Sequence, residues 1–147
     1  MGGAMKGILM GLVFAAATGC AALKGGASKE LDIREAAFRH AFKEDAALGP
    51  SFCLSVEGVD AGEALLARLR DDYPAVKKAS ECASPNGGGM VPDMAFRLGK
   101  IGWKSETEAV VPITVSAGPM AATGYSYILK IQKGRWSVVK TDLLWVS

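Results

Sequence analysis

The strongest constraint on the fold is an unbroken two-residue alternation near the C-terminus. Ala109, Val111, Ile113, Val115 and Ala117 alternate with Val110, Pro112, Thr114 and Ser116. Successive side chains of a strand point to opposite faces, so this pattern sets one apolar face against a core. Pro112 has no amide hydrogen to donate, which predicts an edge strand or a bulge. Residues 125–132 and 135–146 read as a hairpin joined at Lys133-Gly134. A two-residue turn there sets Ile131 opposite Trp136 and Leu129 opposite Val138. Upstream, Phe96 and Leu98 share one phase and Ile101 and Trp103 the other, with Gly99 or Gly102 marking the flip. About four mainly antiparallel strands over 94–146 are expected from these signals.

The first half mixes periods. Ile33, Ala37 and Ala41 fall on one helical stripe flanked by Phe38 and Phe42, while Arg34, Glu35, Arg39 and Lys43 face away. Asp32-Ile33-Arg34-Glu35 fits a capping box with Asp as the cap, and Gly49-Pro50 would stop the helix. Residues 51–59 alternate as a half-buried strand. Asp60-Ala61-Gly62-Glu63 repeats the cap signal before Leu65, Leu66 and Leu69, and Pro74 closes that helix. A brief strand is expected over 75–83. The expected class is α+β: an N-terminal helix and a short second helix packed on a curved, mainly antiparallel sheet. At 147 residues and 50% apolar, the chain has the material for one such core.

The N-terminus is of another kind. Lys6 precedes an apolar run over residues 7–19 that ends at Cys20. A spanning helix needs about 20 apolar residues, so the run suits a cleaved export signal better than a permanent span. Met5 is an alternative start. Residues 21–29 are small and contain Gly25-Gly26, which predicts a flexible tether. The domain organisation expected is therefore a signal peptide over 1–19, a lipidated tether over 20–29 and a single domain over 30–147.

Ala17-Thr18-Gly19-Cys20 resembles the lipobox of bacterial lipoproteins. Thr18 and Gly19 are permitted small residues, Cys20 stands at the acceptor position, and Ala17 replaces the commoner Leu. The resemblance implies diacylglycerol on the Cys20 thiol, cleavage before Cys20, and acylation of the new amino group by a chain such as palmitate. More than one acyl chain is what stable anchoring requires. Ala21 is not the Asp that resembles an inner-membrane retention signal, so the outer membrane is preferred where the host has one. Export makes an even cysteine pair meaningful. Cys53 and Cys82 are the two left for the folded domain, and an oxidising compartment predicts a disulfide between them. Two buried free thiols are the alternative.

Candidates for chemistry are sparse. The formal net charge is +2, which gives no electrostatic footprint for nucleic acid. His40 sits beside the helical stripe and reads as a structural histidine or, less simply, a general base. No metal site is expected, because one histidine and a paired Cys53 and Cys82 cannot supply three or four ligands. No cofactor motif is legible. Gly87-Gly88-Gly89 lacks the strand–loop–helix context of a phosphate loop. Trp103, Tyr125, Tyr127, Trp136 and Trp145 fit cross-strand packing or a pocket lining. Lys77-Lys78, Asp71/Asp72 and Glu106/Glu108 read as solvated surface.

Five short segments are similar to uncharacterised bacterial lipoproteins of the nuclear transport factor 2-like superfold. They are Ile33-Arg34-Glu35-Ala36-Ala37-Phe38-Arg39, Cys53-Leu54-Ser55-Val56, Leu65-Leu66-Ala67-Arg68-Leu69, Val76-Lys77-Lys78-Ala79-Ser80-Glu81-Cys82 and Gly134-Arg135-Trp136-Ser137-Val138-Val139. The resemblance implies a helix packed in a cone-shaped sheet. That superfold hosts isomerases, dehydratases and binding modules, so it transfers no activity by itself, and no catalytic acid or base of its enzymes matches a position here. The favoured expectation is an envelope lipoprotein with a non-catalytic binding or structural domain. It would be held to the membrane by its lipid and would bind an envelope protein or a small apolar ligand. The alternative is a small enzyme with a pocket in the concave sheet, using His40 or an acidic residue as base.

Overall fold

The computed structural model describes residues 18–45, 51–82, 93–117 and 121–147, with side chains from residue 26 onward. Gly49-Pro50 and the triple glycine at 87–89 lie outside the described residues, as does the expected signal run up to residue 17.

Helix α1 spans Thr18–Asp45 and α2 spans Glu63–Arg70. Around them run β1 (Phe52–Val56), β2 (Val59–Asp60), β3 (Val76–Lys78), β4 (Met94–Leu98), β5 (Gly102–Ser105), β6 (Glu108–Ala117), β7 (Ala122–Gln132) and β8 (Arg135–Val146). They form one eight-stranded sheet in the order β2-β1-β4-β6-β7-β8, with β3 also on β1 and β5 also on β6. Pairing is antiparallel except where β1 meets β3 and β4. The fold is α+β, with α1 packed on a mostly antiparallel sheet.

The core lies between the helices and one sheet face. Ile33, Ala37, Phe38, Ala41 and Phe42 of α1 have no exposed surface, matching the stripe read from the sequence. They meet Leu65, Leu66 and Leu69 of α2 and the inward phase of the strands, including Leu54, Phe96, Val111, Ile113 and Leu129. Phe42 anchors an aromatic cluster, its ring centroid 4.8 Å from Phe52, 4.8 Å from Tyr73 and 5.0 Å from Phe96. Neither layer can bury this surface alone, which is why the helix and the sheet form together.

The turn at Lys133-Gly134 forms as expected. Both residues have positive φ, 52° and 77°, as a tight hairpin turn of this hand requires. Ile131 pairs with Trp136 and Leu129 with Val138. Trp136, however, is half-buried rather than part of the closed core, and Ile131 is exposed.

Several local expectations are corrected. Asp32 does not cap a helix, because α1 continues upstream through the stretch read as a flexible connector. Ala21, Ala22, Leu23, Lys24, Ala27 and Lys29 all favour helix, against a cost of about 1 kcal/mol for each glycine of Gly25-Gly26. Residues 51–59 are not one strand. Glu57 and Gly58 adopt positive φ (51° and 82°) and turn the chain back from β1 into β2. Asp60 does not cap α2 either; it accepts from the Ser80 amide at 2.9 Å and the Ser80 hydroxyl at 2.5 Å. The strand expected over 75–83 is only β3, followed by a 3₁₀ turn that delivers Cys82.

Pro112 lies on neither an edge nor a bulge. β6 is an interior strand, paired with β7 on one side and with β4 and then β5 on the other. The Pro112 carbonyl accepts from the Gly99 amide at 2.9 Å, so its nitrogen also faces the break between β4 and β5. There no ladder bond is lost. Gly99 itself is required by close approach, since a Cβ there would stand 2.6 Å from the Pro112 ring.

Candidate functional site

Among the described residues, three hollows border α1; one, of about 280 Å³, lies beside β1, β2 and α2. A larger one, about 420 Å³, lies between α1 and the start of β8. Helical spacing puts Asp32, Glu35, Ala36 and Arg39 on one face of α1, and the Lys133-Gly134 turn brings Arg135, Trp136 and Ser137 against them. Beneath it runs an ion network. The Arg68 Nη1 lies 2.6 Å from the Asp32 Oδ1 and 3.1 Å from the Glu35 Oε2. The Arg39 Nε lies 3.1 Å from the Glu35 Oε1, its Nη1 2.6 Å from the Asp72 Oδ2, and its Nη2 donates to the Arg68 carbonyl at 3.0 Å. Burial works against the Arg39 cation, but hydrogen bonds to Asp72 and Glu35 outweigh it and raise its pKa. Hydrogen bonds to Asp32 and Glu35 raise Arg68 likewise.

The apparent capping box is thus a carboxylate pair, three residues apart, aimed at α2. Asp72, read from the sequence as solvated, belongs to the same network although it stays exposed. Arg135 has no polar partner among the described residues. Trp136 forms the apolar wall and meets Trp103 edge-on at 6.0 Å.

The smallest hollow, about 190 Å³, sits at the C-terminal end of α1 among Asp45, Met94, Val115, Tyr125 and Val146. The Asp45 Oδ2 is buried with no hydrogen-bond partner among the described residues. Burial, with Glu44 adding, raises the Asp45 carboxyl above its usual value. Tyr127 is buried beside this region, and burial, reinforced by Asp45, pushes its phenol far up. Sequence reasoning missed Asp45. Lys43-Glu44-Asp45 looks like a polar helix end, and only the return of β7 and β8 closes an apolar wall around its last residue.

His40 lines none of these hollows. Its Nε2 is 3.3 Å from the Thr141 hydroxyl, and its ring meets Tyr127 edge-on at 5.0 Å. Lys78 pairs with Glu63 at 2.7 Å.

Cys53 and Cys82 form a disulfide, their Cα atoms 6.1 Å apart, within the reach expected of one. Cys53 is 4% exposed on β1, and the bond ties that strand to the end of the 3₁₀ turn. Asp93 brings a carboxylate close to both sulfurs. Because the sulfurs are bonded to each other, the cluster does not present three metal ligands. The backbone at Cys20 lies in the first turn of α1, and its side chain is outside the description. No helix among the described residues is long and apolar enough to cross a membrane.

Compared with known proteins, the chain matches no family model, and it has no significant match among curated proteins or solved structures.

Proposed function

We propose that the chain is an exported lipoprotein, anchored through Cys20, whose domain is a non-catalytic binding module. The lipobox-like Ala17-Thr18-Gly19-Cys20 supports the anchor, and the Cys53–Cys82 disulfide is compatible with an oxidising compartment. An outer-membrane address is preferred because Ala21 follows the cysteine. On a continuous α1, the larger cleft would stand roughly 20–30 Å along the helix from the anchor. The helix-on-sheet layout is compatible with the nuclear transport factor 2-like likeness of the sequence, a superfold that includes binders.

One observation carries the binding role. Every titratable group lining the larger cleft is held in the ion network except Arg135. The carboxylates are already committed to the Arg39 and Arg68 guanidinium groups, which leaves Arg135 as the one cation of the lining without a partner among the described residues, beside an indole wall. At about 420 Å³ the cleft falls in the size range of small-molecule sites. Its occupant is a small, mainly apolar molecule carrying an acidic group, with the apolar part on Trp136 and the acid on Arg135. Native mass spectrometry of the protein from envelope extract tests this. A bound small molecule should be retained by the parent protein and lost from Arg135→Glu and Trp136→Ala variants that keep the fold. Retention in both variants would refute the assignment of the cleft.

Asp45 favours a second reading, a small enzyme working in the smallest hollow. A carboxyl with a raised pKa in an apolar recess is suited to general acid–base work. In that case a co-purified ligand should be chemically converted during incubation, and Asp45→Asn should stop the conversion while leaving binding intact.

A further inference from the structure

We infer that the free edge of β8 is a self-association surface, where two copies of this chain join their sheets by antiparallel pairing of β8 with β8. Among the described residues β8 has one neighbouring strand, β7, so the backbone groups on its far side are unpaired. A long edge strand of this kind is a template for another strand. It is also apolar: Val139, Leu143, Leu144, Trp145 and Val146 are 39–67% exposed. Trp145 lies flat enough over Gly124 that a Cβ at that glycine would collide with the indole, so the ring is held in place on the sheet.

The occupant follows from the order of residues along the strand. A two-fold axis through Thr141 sets Lys140 of each copy opposite Asp142 of the other. Within one chain these two charges lie on the same side of the strand, 3.5 Å apart. Pairing therefore assembles two positive and two negative charges, each beside its opposite. Directly opposed unlike charges are a stabilising unit of an antiparallel ladder. A lipid surface fits less well, because burying Lys140 and Asp142 midway along the apolar strip would be costly there.

The arrangement closes on itself. β8 carries an extra residue at Val139 and another at Leu144 relative to β7, which leaves Lys140–Leu143 as the regular stretch. The sheet's other edge strands among the described residues are much shorter than the twelve-residue β8: β2 has two residues, β3 three and β5 four. An isologous pair through β8 is thus a dimer rather than the start of a fibre.

Sedimentation of the full chain in detergent, over a range of concentrations, tests the inference without reference to Cys20 lipidation. The parent should show a monomer–dimer equilibrium. Lys140→Asp and Asp142→Lys should each raise the dissociation constant about tenfold or more, since each replaces two attractive pairs by two repulsive ones. The double variant, Lys140→Asp with Asp142→Lys, should restore it. Thr141→Cys in a Cys20→Ser background gives a readout independent of charge: oxidation should link two chains through position 141. A monomer at all concentrations, a dimer indifferent to both single reversals, or a folded Thr141→Cys protein that does not cross-link would each overturn the assignment.

Discussion

Removing the disulfide should cost the domain about 3.5 kcal/mol, and the structure indicates where that loss arises. Cys53 and Cys82 lie 29 positions apart, and the segment between them includes β2, α2 and β3. In the chain-entropy treatment, opening a loop of this length releases the unfolded state by about 3.5 kcal/mol at 25 °C. The folded state has other means of holding the same segment. β3 pairs in parallel with β1, and Asp60 accepts two hydrogen bonds from Ser80. A Cys53→Ala/Cys82→Ala variant should therefore keep its native spectrum while its denaturation midpoint falls. For a domain of this size the melting temperature should drop by roughly 10–17 °C. Equilibrium urea unfolding followed by tryptophan fluorescence measures the change; the urea dependence (m-value) should hold or rise, because the unfolded chain without its cross-link exposes more surface, and a fall would indicate a disturbed native state. A loss below about 1 kcal/mol would refute the reasoning, since the bond would then add little constraint to the unfolded chain. Two reactive thiols in the oxidised native protein would refute it sooner.

Two further perturbations probe the hollows. Trp136→Ala should destabilise by about 2 kcal/mol, less than the 3–5 kcal/mol of a fully buried ring, because Trp136 is half-buried; a loss under about 1 kcal/mol by urea unfolding would leave the indole to ligand binding alone. Asp45 is an acid whose folded pKa is raised, so the native state holds its proton more tightly than the unfolded chain does. Its contribution favours folding below the unfolded pKa and is lost as pH rises through the raised folded value. Asp45→Asn should then raise the melting temperature at pH 7 and leave it nearly unchanged at pH 3, and an equal shift at both pH values would contradict the burial argument.

Local signals carried much of the fold. The alternation through β6, the positive-φ demand at Lys133-Gly134 and the stripe from Ile33 to Phe42 each depend on residues close in sequence, and each is where the pattern puts it. The misreadings share a different cause. Pro112 looked like an edge residue because nothing local reveals that the neighbouring chain breaks between β4 and β5 just where its nitrogen points. Asp32 and Glu35 fit a capping box, yet their partner is Arg68, more than thirty residues away. Asp60 likewise left the helix it seemed to cap for Ser80. Asp32 and Asp60 each had a local and a distant partner on offer, and tertiary packing chose the distant one, while Glu35 bridges Arg68 and its helix neighbour Arg39. The parallel pairing of β1 with β4 joins segments separated by α2 and β3, and local periodicity does not report it. Asp45 stayed hidden for the same reason, since the recess around it is built by strands from the far end of the chain. Trp136 was placed on the correct strand and opposite the correct partner, but its depth depended on how far α1 overlaps the hairpin.

The account's central claim is an exported domain held to a membrane through Cys20. The mass of the N-terminal peptide of the mature protein, recovered from the membrane fraction, tests it most directly. The account predicts that this peptide begins at Cys20 and carries a diacylglyceryl group on its sulfur, with Cys20→Ser abolishing both the modification and membrane retention. A mature chain that keeps the residues preceding Cys20, with an unmodified thiol at that position, would contradict it.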